Sequence, residues 1–117
     1  IEVFVSACRA AGIRPILATE PRLLTADNLE ELIASSQFST STGFTLPALL
    51  QATQKCDSVL IETATRFSIP LFDLSSTCSG KREAFRDLIH YNREGGACAA
   101  AKLATDIKRL LPLEADR

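Results

Sequence analysis

Phe85-Arg86-Asp87-Leu88-Ile89-His90-Tyr91-Asn92-Arg93-Glu94-Gly95-Gly96 is the stretch on which the reading of this chain turns. It holds the only histidine of the 117 residues, a carboxylate three positions before it and a pair of glycines just after. Histidine is the side chain whose ordinary pKa lets it gain and lose a proton near neutrality. A carboxylate that accepts from one ring nitrogen fixes the tautomer and leaves the other nitrogen free to act as a base. Asp87 and His90 are the candidates for such a pair. Against that, 14 of the 117 residues are acidic, so an acid at this spacing from a lone histidine arises by chance roughly one time in eight. What flanks the pair has to decide.

Downstream, Asn92 is a good N-cap and predicts a last helix starting there. Ala97, Ala100, Ala101, Ala104, Ile107 and Leu111 fall along one face of it, and Pro112 stops it. Gly95 and Gly96 in its first turn cost about 1 kcal/mol each relative to alanine. Small residues there suit a close approach of backbone to a neighbouring segment, whether for packing or for catalysis. Upstream, residues 68–74 form a short apolar run of strand length ending in a carboxylate. Residues 75–86 read as a loop leaving its carboxyl end, where open α/β sheets build their sites.

Further back, Leu46, Leu49, Leu50, Thr53, Leu60, Ala64 and Phe67 keep a helical period over 46–67. Asp57 allows a second cap and hence a break near Cys56. Residues 25–37 predict a short helix capped by Asp27 with Glu30 three residues on, and an apolar stripe of Leu29, Leu32 and Ile33. Between them 35–45 is a polar loop, in which Phe38 and Phe44 read as anchors on the body or, less simply, as lining of an acyl pocket. Residues 13–19 are another strand-length run, and 1–11 a helix that Gly12 ends at C′. Two short buried strands joined by helices pair most naturally in parallel. The fold class is therefore α/β, with about two strands and four helical stretches.

Composition narrows the function. One domain at most fits this length, and an apolar content of 46 % argues for a packed core rather than disorder. A net charge of -1 gives no basic footprint for nucleic acid. No apolar run approaches the length of a transmembrane segment. The chain opens at Ile1 within a helical pattern and has no methionine, which reads as part of a longer or processed protein and leaves the compartment open. Cys8, Cys56 and Cys98 fall in helical stretches and read as small buried apolar residues. Cys78 lies in the loop before the histidine, as an idle thiol or a disulfide partner rather than an activated nucleophile. An even count permits disulfides, and three pairings are possible. With no C-x-x-C and no second histidine a zinc site is disfavoured, and no G-x-G-x-x-G or P-loop calls for a cofactor.

The order helix, strand, long helical connection, strand, loop, D-x-x-H, glycine, helix resembles the C-terminal half of an SGNH (GDSL-type) hydrolase. Residues 56–74 resemble the helix-then-strand segment of that family, and Asp87-Leu88-Ile89-His90 followed by Gly95 resembles its last block. The resemblance spans most of 1–117 except 22–45. It implies part of a single flavodoxin-like three-layer α/β/α domain with a parallel sheet, acting as a lipase- or esterase-type serine hydrolase on a small-molecule ester. Its catalytic residues here would be Asp87 and His90: His90 would take the proton of the nucleophilic serine and Asp87 would orient the ring. The blocks supplying the serine and the oxyanion hole have no counterpart in this sequence, so the N-terminal half of the domain is an expected partner. Two further classes stay open. One is a non-catalytic α/β interaction module. The other is a phosphate- or nucleotide-binding domain, with the helix start at 92–96 taking the anion.

Overall fold

Leu17 and Leu71 are the residues through which the chain is drawn into a sheet. In the computed structural model, which describes residues 1–35 and 43–110, β1 (Leu17–Ala18) and β2 (Leu71–Phe72) pair in parallel. Leu17 lies opposite Leu71 and Ala18 opposite Phe72. Leu17 N–H to Pro70 O (3.0 Å) and Thr19 N–H to Phe72 O (3.1 Å) complete the ladder. Both strands lie where the sequence predicts them and run as predicted, but they are far shorter than 13–19 and 68–74. Pro15 and Pro70 have no N–H to offer a ladder, and past β2 the carboxylate of Asp73 caps a helix instead of continuing the strand.

Helices surround this pair. α1 (Glu2–Ala10) ends with Gly12 at φ +70°, the left-handed conformation the sequence assigns to it. α2 (Leu29–Ser35) starts later than predicted. Asn28, not Asp27, supplies the first helical carbonyl, to Leu32 N–H. The Asn28 side chain turns back to Thr25 N–H and Leu23 O, so the Asp27–Glu30 capping box does not form. Of its stripe, Leu32 is buried and Ile33 exposed. Phe38 lies outside the described residues. Phe44, expected as an anchor, is 61 % exposed.

α3 (Leu46–Arg66) is a single helix of 21 residues without a break at Cys56. Thr45 caps it, accepting from Ala48 N–H. Asp57 caps nothing, because its carboxylate is bound to Arg22. The predicted loop 75–86 is largely ordered into α4 (Leu74–Cys78) and a 3₁₀ turn (Arg82–Ala84). α5 (Arg93–Leu110) packs on both.

The predicted face of α5 is the wrong one. Ala97, Ala100, Ala101, Ala104 and Ile107 are exposed, while Gly95, Ala99 and Asp106 are buried; Leu111 and Pro112 lie outside the described residues. Gly95 fixes that rotation, since a Cβ there would lie 2.3 Å from Ala84 O. Gly96, with nothing within 4 Å of such an atom, makes no close approach. The cysteines other than Cys78, for which a disulfide was open, differ from expectation too. Cys78 and Cys98, with Cα atoms 6.0 Å apart, form a disulfide between α4 and α5. Cys56 is exposed and Cys8 half-buried, both free.

Most of the buried apolar residues fall into two clusters. Leu23, Leu24, Leu32, Leu46, Leu50, Ala84 and Phe85 lie together at one end, and Val5, Leu17, Ala64 and Ile69 at the other. Helices with a small parallel sheet make this an α/β arrangement, and among the described residues no helix is long and apolar enough to cross a membrane.

Candidate functional site

Asp87 and His90 meet inside one turn. Phe85 and Tyr91 form an antiparallel bridge at its base, with their rings edge to face at 5.9 Å. Arg86 N–H donates to His90 O at 2.8 Å. Within the turn, Asp87 Oδ1 accepts from Ile89 N–H (2.9 Å) and His90 N–H (2.8 Å), the side-chain-to-backbone pattern that makes aspartate a turn former. The other oxygen, Oδ2, lies 2.7 Å from His90 Nδ1.

This geometry fixes the chemistry of the pair. The backbone N–H groups of Ile89 and His90, then the His90 ring, lower the Asp87 pKa to about 2. At neutral pH the carboxylate is therefore ionised and can only accept. Nδ1 must carry the hydrogen between them, and in the neutral ring the lone pair is left on Nε2. That nitrogen has no hydrogen-bond partner among the described residues. The His90 side chain is 71 % exposed and that of Asp87 48 %, so the base faces outward.

Three contacts seat the turn on the body. Leu23 N–H donates to Leu88 O at 2.9 Å. Asn92 N–H donates to Ala84 O at 3.0 Å, and its side-chain amide donates to Glu83 O at 2.5 Å. Asn92 Oδ1 meanwhile accepts from Glu94 N–H and Gly95 N–H, and its carbonyl accepts from Gly96 N–H. The N–H groups of Glu94, Gly95 and Gly96 at the start of α5 are thus already engaged, which counts against an anion held at 92–96.

A polar cavity of about 480 Å³ opens at the carboxyl ends of β1 and β2. Arg22, Gln54, Asp57, Ser75, Ser79 and Lys81 are among the residues lining it. Arg22 Nη2 donates to Glu20 O (3.0 Å) and to both oxygens of Asp57 (2.8 Å each). The Ser75 hydroxyl approaches Asp57 Oδ2 and Ser79 Oγ at 3.4 and 3.3 Å. The strand ends are tied by Thr19, whose hydroxyl donates to Asp73 Oδ1 (3.0 Å) and accepts from Ser75 N–H (2.9 Å). Burial pushes the Asp73 carboxyl up, but hydrogen bonds from Ser76 and Thr19 and the charge on Lys102 outweigh it and leave the pKa lowered.

Sequence reasoning brought Asp87 and His90 together correctly in space. It missed Arg22 and Asp57, for which no local pattern exists because they lie 35 residues apart. Ser75 and Ser79 fall in the predicted loop 75–86, and the one signal for them is their place after a strand. No serine among the described residues hydrogen-bonds to His90, and no cluster of metal-ligating side chains occurs among those residues. No family model matches this chain, and no match was found among the curated proteins.

Proposed function

We propose that residues 1–117 supply the Asp–His part of a Ser-His-Asp ester hydrolase, within a flavodoxin-like three-layer fold whose remaining strands and nucleophilic serine come from outside these residues. One observation carries the reading: an ionised Asp87 on His90 Nδ1, with Nε2 unengaged and facing out. In the reaction Nε2 takes the proton of the serine hydroxyl as its oxygen attacks the ester carbonyl. The imidazolium that results is stabilised by Asp87 and returns the proton to the departing alkoxide. Water, activated by the same nitrogen, then releases the acid.

The sheet supports a larger fold. Each of β1 and β2 has one strand neighbour among the described residues, and Ile13 and Ile16 beside β1 are exposed. Parallel sheets are ordinarily buried on both faces.

The exposure of the pair favours a second reading, in which Asp87 and His90 shape a surface turn of a non-catalytic module. One experiment separates the two. In the complete protein, His90→Ala is expected to lower kcat for p-nitrophenyl acetate by at least about 10³-fold, with the fold kept, because the side chain is exposed. Asp87→Asn should lower it less, through loss of the fixed tautomer. Wild-type turnover in folded His90→Ala would sink the catalytic reading.

A further inference from the structure

The turn that carries Asp87 and His90 is closed on itself. Its internal bonds, from the Ile89 and His90 N–H groups to Asp87 Oδ1 and from Arg86 N–H to His90 O, all lie between residues 86 and 90. They determine how the carboxylate meets the ring, but not where the ring stands relative to the strand ends. That placement depends on the neighbours of the turn, and Leu23 is one of them, through its N–H on Leu88 O.

Leu23 directly follows Arg22, which is fastened on three sides. Its backbone N–H donates to Ser79 Oγ at 3.1 Å. Its carbonyl accepts from Gly80 N–H at 2.9 Å. Its side chain, 9 % exposed, is bound through Nη2 to both oxygens of Asp57 on α3 and to Glu20 O. Residues 22–23 therefore form a crosspiece joining α3, the end of α4 and the turn that holds His90. A buried guanidinium stays in such a place only with its counter-charge. Asp57→Asn takes away that charge and one of the two side-chain acceptors, leaving a single amide oxygen and Glu20 O. The side-chain tie of the crosspiece to α3 is then weakened, and residues 22–23 rest on their backbone bonds to Ser79, Gly80 and Leu88.

We infer that Arg22 and Asp57 are a positioning pair for the hydrolysis proposed above, setting where the Asp87–His90 turn sits relative to the strand ends. The inference rests on the catalytic reading of Asp87 and His90. It makes a divided expectation: removing the pair displaces the dyad as a unit while leaving its internal hydrogen bond intact.

The test uses the complete protein, with p-nitrophenyl acetate kinetics and the nitrogen NMR signals of the His90 ring. Asp57→Asn should lower kcat per folded molecule by about tenfold to a hundredfold, the loss expected of a misplacement near 1 Å. KM should stay within about twofold. The Nδ1–H signal and the acid midpoint of the rate profile should not move. Asp57→Glu, which keeps the charge, should recover most of the rate. Where Asp57→Asn fails to fold, the double variant Arg22→Met, Asp57→Leu replaces the pair by apolar groups, a change that buried pairs often tolerate, and should show the same fall in kcat. Wild-type kcat in the folded variants, or loss of the Nδ1–H signal, would overturn the inference. His90→Ala in the same series keeps the two levels apart. If it retains full activity, the catalytic reading fails; if it is inactive while Asp57→Asn is not slowed, only the positioning pair fails.

Discussion

Asp87 is anionic through the whole range in which an esterase is assayed, because its pKa is lowered to about 2 by the N–H groups of Ile89 and His90 and by the His90 ring. A depressed carboxylate stabilises the fold fully above its unfolded pKa, near 3.9, and loses that contribution as pH falls toward its folded value. Thermal midpoints of the complete protein should therefore drop between about pH 4 and pH 2, and Asp87→Asn should flatten that part of the curve. In kinetics the same carboxylate should be silent above about pH 3. The acid limb of kcat/KM should then carry the slope of one proton. A two-proton slope would count against the assignment. Gly95 and Gly96 offer a second check on single residues. A Cβ at Gly95 would lie 2.3 Å from Ala84 O and 2.7 Å from Tyr91 Cβ. Gly95→Ala should lose about 1–3 kcal/mol by overpacking. Gly96→Ala meets nothing within 4 Å and should gain up to about 1 kcal/mol in helix propensity. Denaturant melts of the two variants should move in opposite directions.

At the level of elements, α4 and α5 form the frame around the dyad. They are joined by the Cys78–Cys98 disulfide, at a sequence separation of 20, and the turn with Asp87 and His90 lies within the loop it closes. Closing a loop of that length restricts the unfolded chain by about 3 kcal/mol. Cys98→Ser should lower stability by roughly that amount. A reductant should reproduce the effect in the wild type and add nothing in the variant. If reductant weakens both alike, its effect does not come from this bond. On the far side of α5 the apolar stripe of Ala97, Ala100, Ala101, Ala104 and Ile107 faces solvent. It is shallow, mostly methyl groups, and contributes nothing to the buried clusters.

On the scale of the whole molecule the chain is spread out. Its Cα radius of gyration is 16.7 Å, against about 13 Å for a compact chain of this length. The two buried clusters do not merge, and Val3, Phe4, Ile13 and Ile16 are all exposed, Val3 by 83 %. A two-stranded sheet is marginal in water, and an open strand edge is a template for association. Residues 1–117 alone are therefore expected to show no esterase activity and to be molten, oligomeric or insoluble. A sizing column, a denaturant melt and a p-nitrophenyl ester assay on that length check this. A monomer with one cooperative transition would show that these residues are self-sufficient. Turnover blocked by a serine-directed phosphonate would show that a nucleophile lies among them.

The parts legible in the sequence are those whose causes lie within a turn or two of chain. Asn92 caps α5 because its own side chain reaches Glu94 N–H and Gly95 N–H. Asp87 finds His90 because three residues separate them and the turn needs the same carboxylate. The Gly12 stop, the course of α3 and the parallel sense of the strands follow from spacing and short connections in the same way. Tertiary structure alone decided the rest. Asp57 looked like a cap because nothing near it in sequence shows Arg22. Four cysteines allowed three pairings into two disulfides, and the packing of α4 on α5 made one bond and left Cys8 and Cys56 free. α5 turned its other face inward because alanine's small methyl gives a weak preference, while one contact, Gly95 against Ala84 O, admits no side chain at all. Local hydrogen bonds are set by chain geometry, but ion pairs, disulfides and helix rotation depend on which segments meet.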